Sequence, residues 1–550
     1  MKTKVIFFLT CILFIATLLR FYNLATLPPA LEWDEVATGY DAYSILKTGK
    51  DQFGNFLPIT IRSLDDYKPP LYTYLTVGSI AIWGWNDFAV RFPAALLGVL
   101  AVFTTFGMVR ALFKNNRLAL LAALLLAISP WHVNFSRLAL ETNSTIFFTT
   151  AAFWAFLKGL QNGKWLVLST LLFGLDLYLY HNARVFVPLF GIALLVLYYR
   201  ELWVQKKWLI IAAAIFTVFC IRLIPIVTSI EGTMRFQGTS LFSSGGEIYN
   251  AEKDYQQRKV IDDAAGLHFY AGLFDNRYVM YSLRLFRNYL SHFDPNFWLF
   301  TSDYPRHHMP EMGIIYFIEL PLILLGTFFL LKKYTRRAVL VLLLWILIAP
   351  IPSAVTIDVP HALRVEIMLP IFQILVGIAL LEIYHLLKRK RIQQMVFMAV
   401  LLVGYFLNIS FFLNKFFYHF ARETSQYWQY GRKEMVQFVD AIKGNYGRVI
   451  VSTEIEQPHV FFLYYLHYDP RVYLQEGGTV SGGWGEQRNH FDKYEFKSIR
   501  FNYRNLEDGN TLFVGLPVEF PPDAIPIKKF YYLDGTDAIW VMRDSKKKVT

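Results

Sequence analysis

Apolar residues in this chain gather into long blocks separated by short polar turns. The blocks run approximately over residues 5–22, 88–112, 118–135, 144–160, 165–180, 185–200, 208–228, 312–331, 338–352, 365–386 and 393–414. Stretches of roughly 18 or more apolar residues read as membrane helices, so the pattern predicts about eleven spans, some of them short. Block 71–85 differs from these. At about 15 residues it is shorter than a typical span, and the next block follows almost at once. It is read as a helix lying in, or dipping into, the outer interface.

Beyond residue 414 the pattern changes. The last 135 or so residues mix polar and aromatic positions and contain no membrane-length apolar run, which is enough chain for a small domain. Residues 423–442 read as a helix, and 448–452 and 511–516 as strands. Segments 528–533 and 538–542, with Asp534-Gly535 near the turn, read as a hairpin. The predicted fold class is mainly α. It is a polytopic helical membrane protein, residues 1–414, carrying a small C-terminal α/β domain, residues 415–550.

Composition agrees with this division. Of the 550 residues 55% are hydrophobic and only 17% charged, against about a quarter in soluble domains. A net charge of +12 would suggest nucleic acid as a partner of a soluble protein. Here the basic residues sit in short turns: Lys114 and Arg117, Lys206 and Lys207, Lys332, Lys333, Arg336 and Arg337, and residues 388–391. With the N-terminus in the cytoplasm and block 71–85 not crossing, all of these turns fall inside, as the positive-inside bias requires. Segments 23–87, 129–143, 181–184, 229–311, 353–364 and the tail then lie outside. The N-terminal block reads as a retained helix rather than a signal peptide, because no small-residue cleavage site follows it. Cys11 and Cys220 both fall inside apolar blocks and offer no disulfide framework.

The outer segments hold the candidate chemistry. The first contains Asp34-Glu35 beside Trp33, soon after the first helix. A carboxylate there suits general-base work on an acceptor, cation binding, or simply the N-cap of a helix through residues 36–46. Lys68, before Pro69-Pro70, is set at headgroup depth. It either binds a specific phosphate or snorkels among lipids. Arg91 lies about one turn into an apolar block, where an arginine marks an anionic partner. Arg137 and Glu141 stand one helical turn apart and are read either as a pair or as separate site groups. His181 with Arg184, and His361 with Arg364, add cations to two further outer turns. The sequence contains no Walker A motif, no Gly-x-Gly-x-x-Gly after a strand, and no His-Glu-x-x-His. Apart from Asp176, acidic residues within the spans are scarce, which speaks against a proton relay.

The ordered set Asp34-Glu35, Lys68-Pro-Pro-Leu-Tyr, Arg91-Phe-Pro-Ala-Ala-Leu and the acid after the third span resembles the GT-C glycosyltransferases. Within them it is most similar to the protein O-mannosyltransferase and aminoarabinose transferase branch, glycosyltransferase family 39. The resemblance is firm over residues 1–200 and looser to 414. It implies a sugar donor on polyprenyl phosphate, inverting transfer on the extracytoplasmic side, and an acceptor that is a protein, lipid or glycan. Asp34 matches the family's catalytic base, Glu35 its neighbour, and Glu141 the second acidic position. Lys68 and Arg91 match positions near the donor phosphate. Arg364, with His361, is carried over from the late outer loop. No metal is required, although Mg or Mn held by Asp34 and Glu141 is compatible with the chemistry of some relatives. Val36-Ala-Thr after Asp34-Glu35 departs from the Val-His of several mannosyltransferases, which leaves the acceptor open. The competing reading is a transporter or flippase of lipid-linked saccharides.

Overall fold

The computed structural model describes residues 2–63, 66–229, 233, 238–242, 247–480, 489–499 and 510–543. Each apolar block carries a helix. Among them are α1 (Lys2–Phe21), α2 (Trp33–Thr48), α3 (Leu71–Trp83), α4 (Asp87–Phe113) and α5 (Asn116–Ile128), of which α2 lies in the first polar segment. Among the described residues six helices are long and apolar enough to cross a membrane: Thr3–Phe21, Asp87–Phe113, Lys206–Thr228, Arg336–Ala354, Glu366–Leu386 and Arg391–Glu423. Block 118–135 breaks at Ser129-Pro130, where α5 gives way to the short helix Pro130–Phe135. A proline there lacks the N–H that would continue the helical ladder. At 1.5 Å per residue α3 reaches roughly 20 Å, short of a hydrocarbon core of about 30 Å.

The chain divides into two compact units. One comprises Met1–Arg20, Leu97–Ser136 and Glu141–Phe412. In it Glu141–Gly159 packs on Lys164–Asp176, which packs on Lys206–Thr228. Glu319–Lys333 packs on Ile371–Leu386, and that helix packs on α5. Gly326 makes the second of these contacts close: a Cβ built there would fall 2.0 Å from the Leu375 carbonyl oxygen. Small residues let apolar helices approach to backbone contact where hydrophobic driving force is lacking. The described residues of the second long polar segment include the helices Glu247–Ala264, His268–Phe274 and Arg277–Ser291.

The other unit comprises Phe21–Leu96, Arg137–Leu140 and Leu413–Thr550. Its tail portion is the α/β element expected. Among the described residues six strands lie in the order β4-β5-β3-β6-β8-β7: β3 (Arg448–Val451), β4 (His490–Phe491), β5 (Tyr494–Phe496), β6 (Thr511–Gly515), β7 (Lys528–Tyr531) and β8 (Asp537–Arg543). β3 runs parallel to β5 and β6, and the other pairings are antiparallel. Alternate side chains Ile450, Phe513 and Met542 meet Ile499 and Phe520 in a buried cluster. β7 and β8 form the predicted hairpin around Asp534-Gly535. The helix expected over 423–442 is shorter. It starts at Arg432, because Gln429 (φ 49°) and Gly431 (φ 90°) turn the chain out of the right-handed region. Helices Pro458–Tyr465 and Pro470–Gln475, which the pattern did not predict, pack on α2. The first polar segment and the tail therefore share one packed body.

Candidate functional site

The first acidic pair sits in the opening turn of α2. The N-cap is Glu32, so Asp34 lies within the helix and does not cap it. Glu35 points inward and is fully buried. Its Oε1 accepts from Arg91 Nε at 2.9 Å and from the Ala139 amide at 2.7 Å. Its Oε2 accepts from Arg91 Nη2 at 2.8 Å and from the Glu32 amide at 3.2 Å. Four donors thus converge on this one carboxylate.

Arg91 is equally committed. Besides the two bonds to Glu35, Nη1 donates to the Leu24 and Pro28 carbonyls at 3.2 and 2.9 Å, and Nη2 to the Ala30 carbonyl at 2.6 Å. All five guanidinium N–H groups are used, in a side chain with no exposed surface. A phosphate contact of the kind expected of Arg91 would have to displace one of these bonds, which fasten the segment from Leu24 to Glu35 to the first turns of α4. Arg137, also buried, repeats the device: its Nη2 donates to the Tyr22 and Leu27 carbonyls at 2.7 and 2.9 Å, and the guanidinium lies over the Phe416 ring.

Asp34 has a different setting. Lys68 Nζ lies 2.6 Å from its Oδ1, and the Asp34 side chain keeps 26% of its surface exposed against 9% for the lysine. Lys68 is placed by a ladder: it ends β2 (Asp66–Lys68), paired with Ile61 of β1 (Ile61–Ser63), and Pro69-Pro70 then open α3. Two turns along α2 from Asp34, Asp41 is buried and accepts from the Gln52 amide at 3.0 Å and Nε2 at 3.1 Å. Burial and the neighbouring Asp51 push the Asp41 carboxyl up to about 8, against the Gln52 hydrogen bonds and the charge of Lys68. Sequence reasoning missed Asp41, although its i, i+7 spacing from Asp34 places both on one helix face.

The remaining predicted residues belong to the other unit. Glu141 opens the helix Glu141–Gly159 and is buried. His181 Nδ1 and Arg184 Nη1 are 3.1 Å apart. The neighbouring Asn182 donates to the Arg364 carbonyl at 2.5 Å, and Arg364 Nη1 donates to Thr356 Oγ1 and the Ile357 carbonyl at 2.6 Å each. The turn at 181–184 and the loop at 353–364 are thereby joined. His361 faces Asp303 and His307, which the sequence did not single out. Burial pushes both imidazoles down, and His361 further through the charge of Arg364. Against its own burial, Asp303 is held low by the two imidazoles and the Ala362 amide. Asp176, the acid noted within a span, is buried and accepts from Thr149 Oγ1 at 2.6 Å.

Comparison with known proteins adds three findings. Residues 67–225 match the family described as dolichyl-phosphate-mannose-protein mannosyltransferase. Over 98% of its length the chain aligns with 98% of ArnT from Cupriavidus metallidurans, solved in the apo state and bound to undecaprenyl phosphate, at 13% identity and a TM-score of 0.55. Over 83% of its length it aligns with 61% of the Archaeoglobus fulgidus oligosaccharyltransferase, solved with Zn and sulfate, at 13% identity and a TM-score of 0.50. No curated protein matches the sequence. The likeness to these solved structures shows the fold expected from the sequence, a polytopic helical GT-C-type body with a small α/β domain in its tail.

Proposed function

We propose that this GT-C membrane protein transfers a sugar from a polyprenyl-phosphate donor to an acceptor outside the cytoplasm, with Asp34 as the base. The observation that carries the reading is the division of labour within the acidic pair. Glu35 is buried and consumed by four hydrogen bonds, whereas Asp34 is partly exposed and bound through a flexible ammonium. Only the second arrangement keeps part of a carboxylate at the surface, where a substrate can reach it. The match to ArnT, solved with undecaprenyl phosphate, and to a dolichyl-phosphate-mannose family supports the donor class.

The chemistry follows from these groups. Asp34 takes the proton of the acceptor hydroxyl or amine as its lone pair attacks the anomeric carbon. The new bond forms on the face opposite the departing lipid phosphate, so configuration inverts. The bond from anomeric carbon to phosphate oxygen breaks, and its electron pair leaves with the polyprenyl phosphate. Lys68, a compact charge on a rotatable stem, turns from Asp34 toward that phosphate as negative charge builds there. The same motion uncovers the base. Arg91 and Arg137 are positioning residues that hold the segment bearing Asp34, and Glu35 is their anchor.

Turnover is read as polyprenyl phosphate released from polyprenyl-phosphate sugars by the purified protein. Asp34→Asn should lower turnover by about 10²–10⁴-fold while donor affinity holds. A transporter would carry lipid-linked sugar equally well with Asn at this position. Donor left unconsumed by the unaltered protein under every acceptor mixture would end the proposal.

A further inference from the structure

The unit that contains the 353–364 loop holds a second cluster, which the transfer chemistry does not use. Asp303 Oδ2 lies 2.8 Å from His307 Nδ1 and 3.2 Å from His361 Nδ1. One ligand atom from each residue falls within 4.8 Å of the others. We infer that Asp303, His307 and His361 form a binding site for one divalent transition-metal ion, with zinc as the chemical class, that staples two outer segments together.

Three observations support a ligand site over a plain hydrogen-bond cluster. First, the spacing fits. With Zn–N and Zn–O bonds near 2.0–2.1 Å, ligand atoms of a tetrahedral site stand about 3.3 Å apart; the 3.2 Å pair matches this, and the hydrogen-bonded 2.8 Å pair would open by about 0.5 Å on ligation. Second, His361 is 7% exposed, and its Nδ1, 3.2 Å from the carboxylate, makes no hydrogen bond among the described residues. A buried ring nitrogen left unsatisfied costs about 1–3 kcal/mol, which metal ligation would offset. Third, the carboxylate is oriented by neighbours outside the cluster. The Ala362 amide donates to Oδ2 at 2.9 Å and Ser302 Oγ to Oδ1 at 3.1 Å. Such outer contacts orient metal ligands.

The donor set selects the ion. Two imidazole nitrogens with one carboxylate oxygen suit zinc and neighbouring transition metals, whereas magnesium and calcium favour sites built wholly of oxygen. His361 is then a metal ligand, not the substrate contact expected from the sequence. The two ligands in 303–307 and the one in the loop at 353–364 are far apart in sequence, so ligation joins segments that no short turn connects. Arg364 and Asn182 extend the same brace to the turn at 181–184.

The test uses the full-length, tag-free protein in detergent, stripped with a chelator and then dialysed against zinc, manganese or magnesium. Bound metal is counted by mass spectrometry and apparent melting is followed. One zinc per chain and a higher melting temperature with zinc are expected, with neither change from magnesium. His361→Ala and His307→Gln should each weaken zinc binding by at least about 10-fold. If a variant fails to fold, the stoichiometry of the unaltered chain still decides. No zinc retained there, or full retention in a well-folded His361→Ala protein, overturns the inference. Asp34→Asn should keep its zinc, so loss of the staple and loss of the transfer reaction are separate results.

Discussion

Replacing Arg91 with lysine keeps the charge and removes the fork. A lysine ammonium has three donors where the guanidinium uses five, so at least two of the bonds to Glu35 and the Leu24, Pro28 and Ala30 carbonyls must be lost. At about 1.5 kcal/mol for each bond made by a charged group, the loss is about 3 kcal/mol before any strain is added. Glu35→Gln attacks the same network from the other side. It leaves the guanidinium buried without its counter-charge, at a cost of about 3–5 kcal/mol. Both variants should melt several degrees lower, followed by size-exclusion fluorescence after heating in detergent. At permissive temperature turnover should fall through misplacement of Asp34, with little change in donor KM. The two substitutions combined should cost less than their sum, because they share partners. If Arg91→Lys melts like the unaltered protein and instead raises donor KM, Arg91 is a phosphate ligand and the scaffold argument fails.

Further outcomes follow from the same geometry. Lys68→Met should raise donor KM and lower turnover together, read in the polyprenyl phosphate assay, because it removes both the partner of Asp34 and the charge offered to the leaving phosphate. Asp41, whose folded carboxyl titrates near 8 against an ordinary 3.8, contributes stability that is complete below about pH 4 and is lost as pH rises toward 8. The slope approaches about 1.4 kcal/mol per pH unit within that window. Asp41→Asn should flatten the melting temperature measured against pH. Gly39→Ala would place a Cβ 2.6 Å from Tyr464 Cε2 and 2.9 Å from Val90 Cγ2, so a loss of about 1–3 kcal/mol is expected in thermal unfolding. Ile525→Cys, at a site 88% exposed in the tail, should react with a membrane-impermeant maleimide in right-side-out vesicles once Cys11 and Cys220 are replaced by serine.

The parts of the fold legible in the sequence are those that one physical effect decides. A membrane helix must bury a continuous apolar run and satisfy its own backbone, so each apolar block found its helix. The β7–β8 hairpin was legible because Asp-Gly supplies the positive φ its turn needs, seen at Gly535 (φ 90°). Helices Pro458–Tyr465 and Pro470–Gln475 were missed although Asp469-Pro470 is a helix-start signal, with Asp469 accepting from the Arg471 amide. They are short, and what holds them is packing on α2, a contact remote in sequence. The Asp303, His307 and His361 cluster was unreadable for the same reason: single residues in polar loops become a cluster only through tertiary contact.

The acidic pair shows the limit most closely. Asp34 and Glu35 are neighbours of like charge, and composition alone makes them interchangeable candidates. On a helix, consecutive residues point about 100° apart, so one of the two must turn toward the packed body whenever the other faces outward. Which one turns is set by Arg91, since a guanidinium with no exposed surface needs a carboxylate on the inward side. Glutamate, one methylene longer than aspartate, reaches it while still accepting from the Ala139 amide. Aspartate is left for the exposed side, within reach of Lys68. Exchanging the two, as Asp34→Glu with Glu35→Asp, keeps composition and net charge but should lower both stability and turnover. The shorter inward carboxylate would lose at least one of its four hydrogen bonds. A doubly exchanged protein with unaltered melting and turnover would show that charge alone, and not the reach and direction of each side chain, divides the work between them.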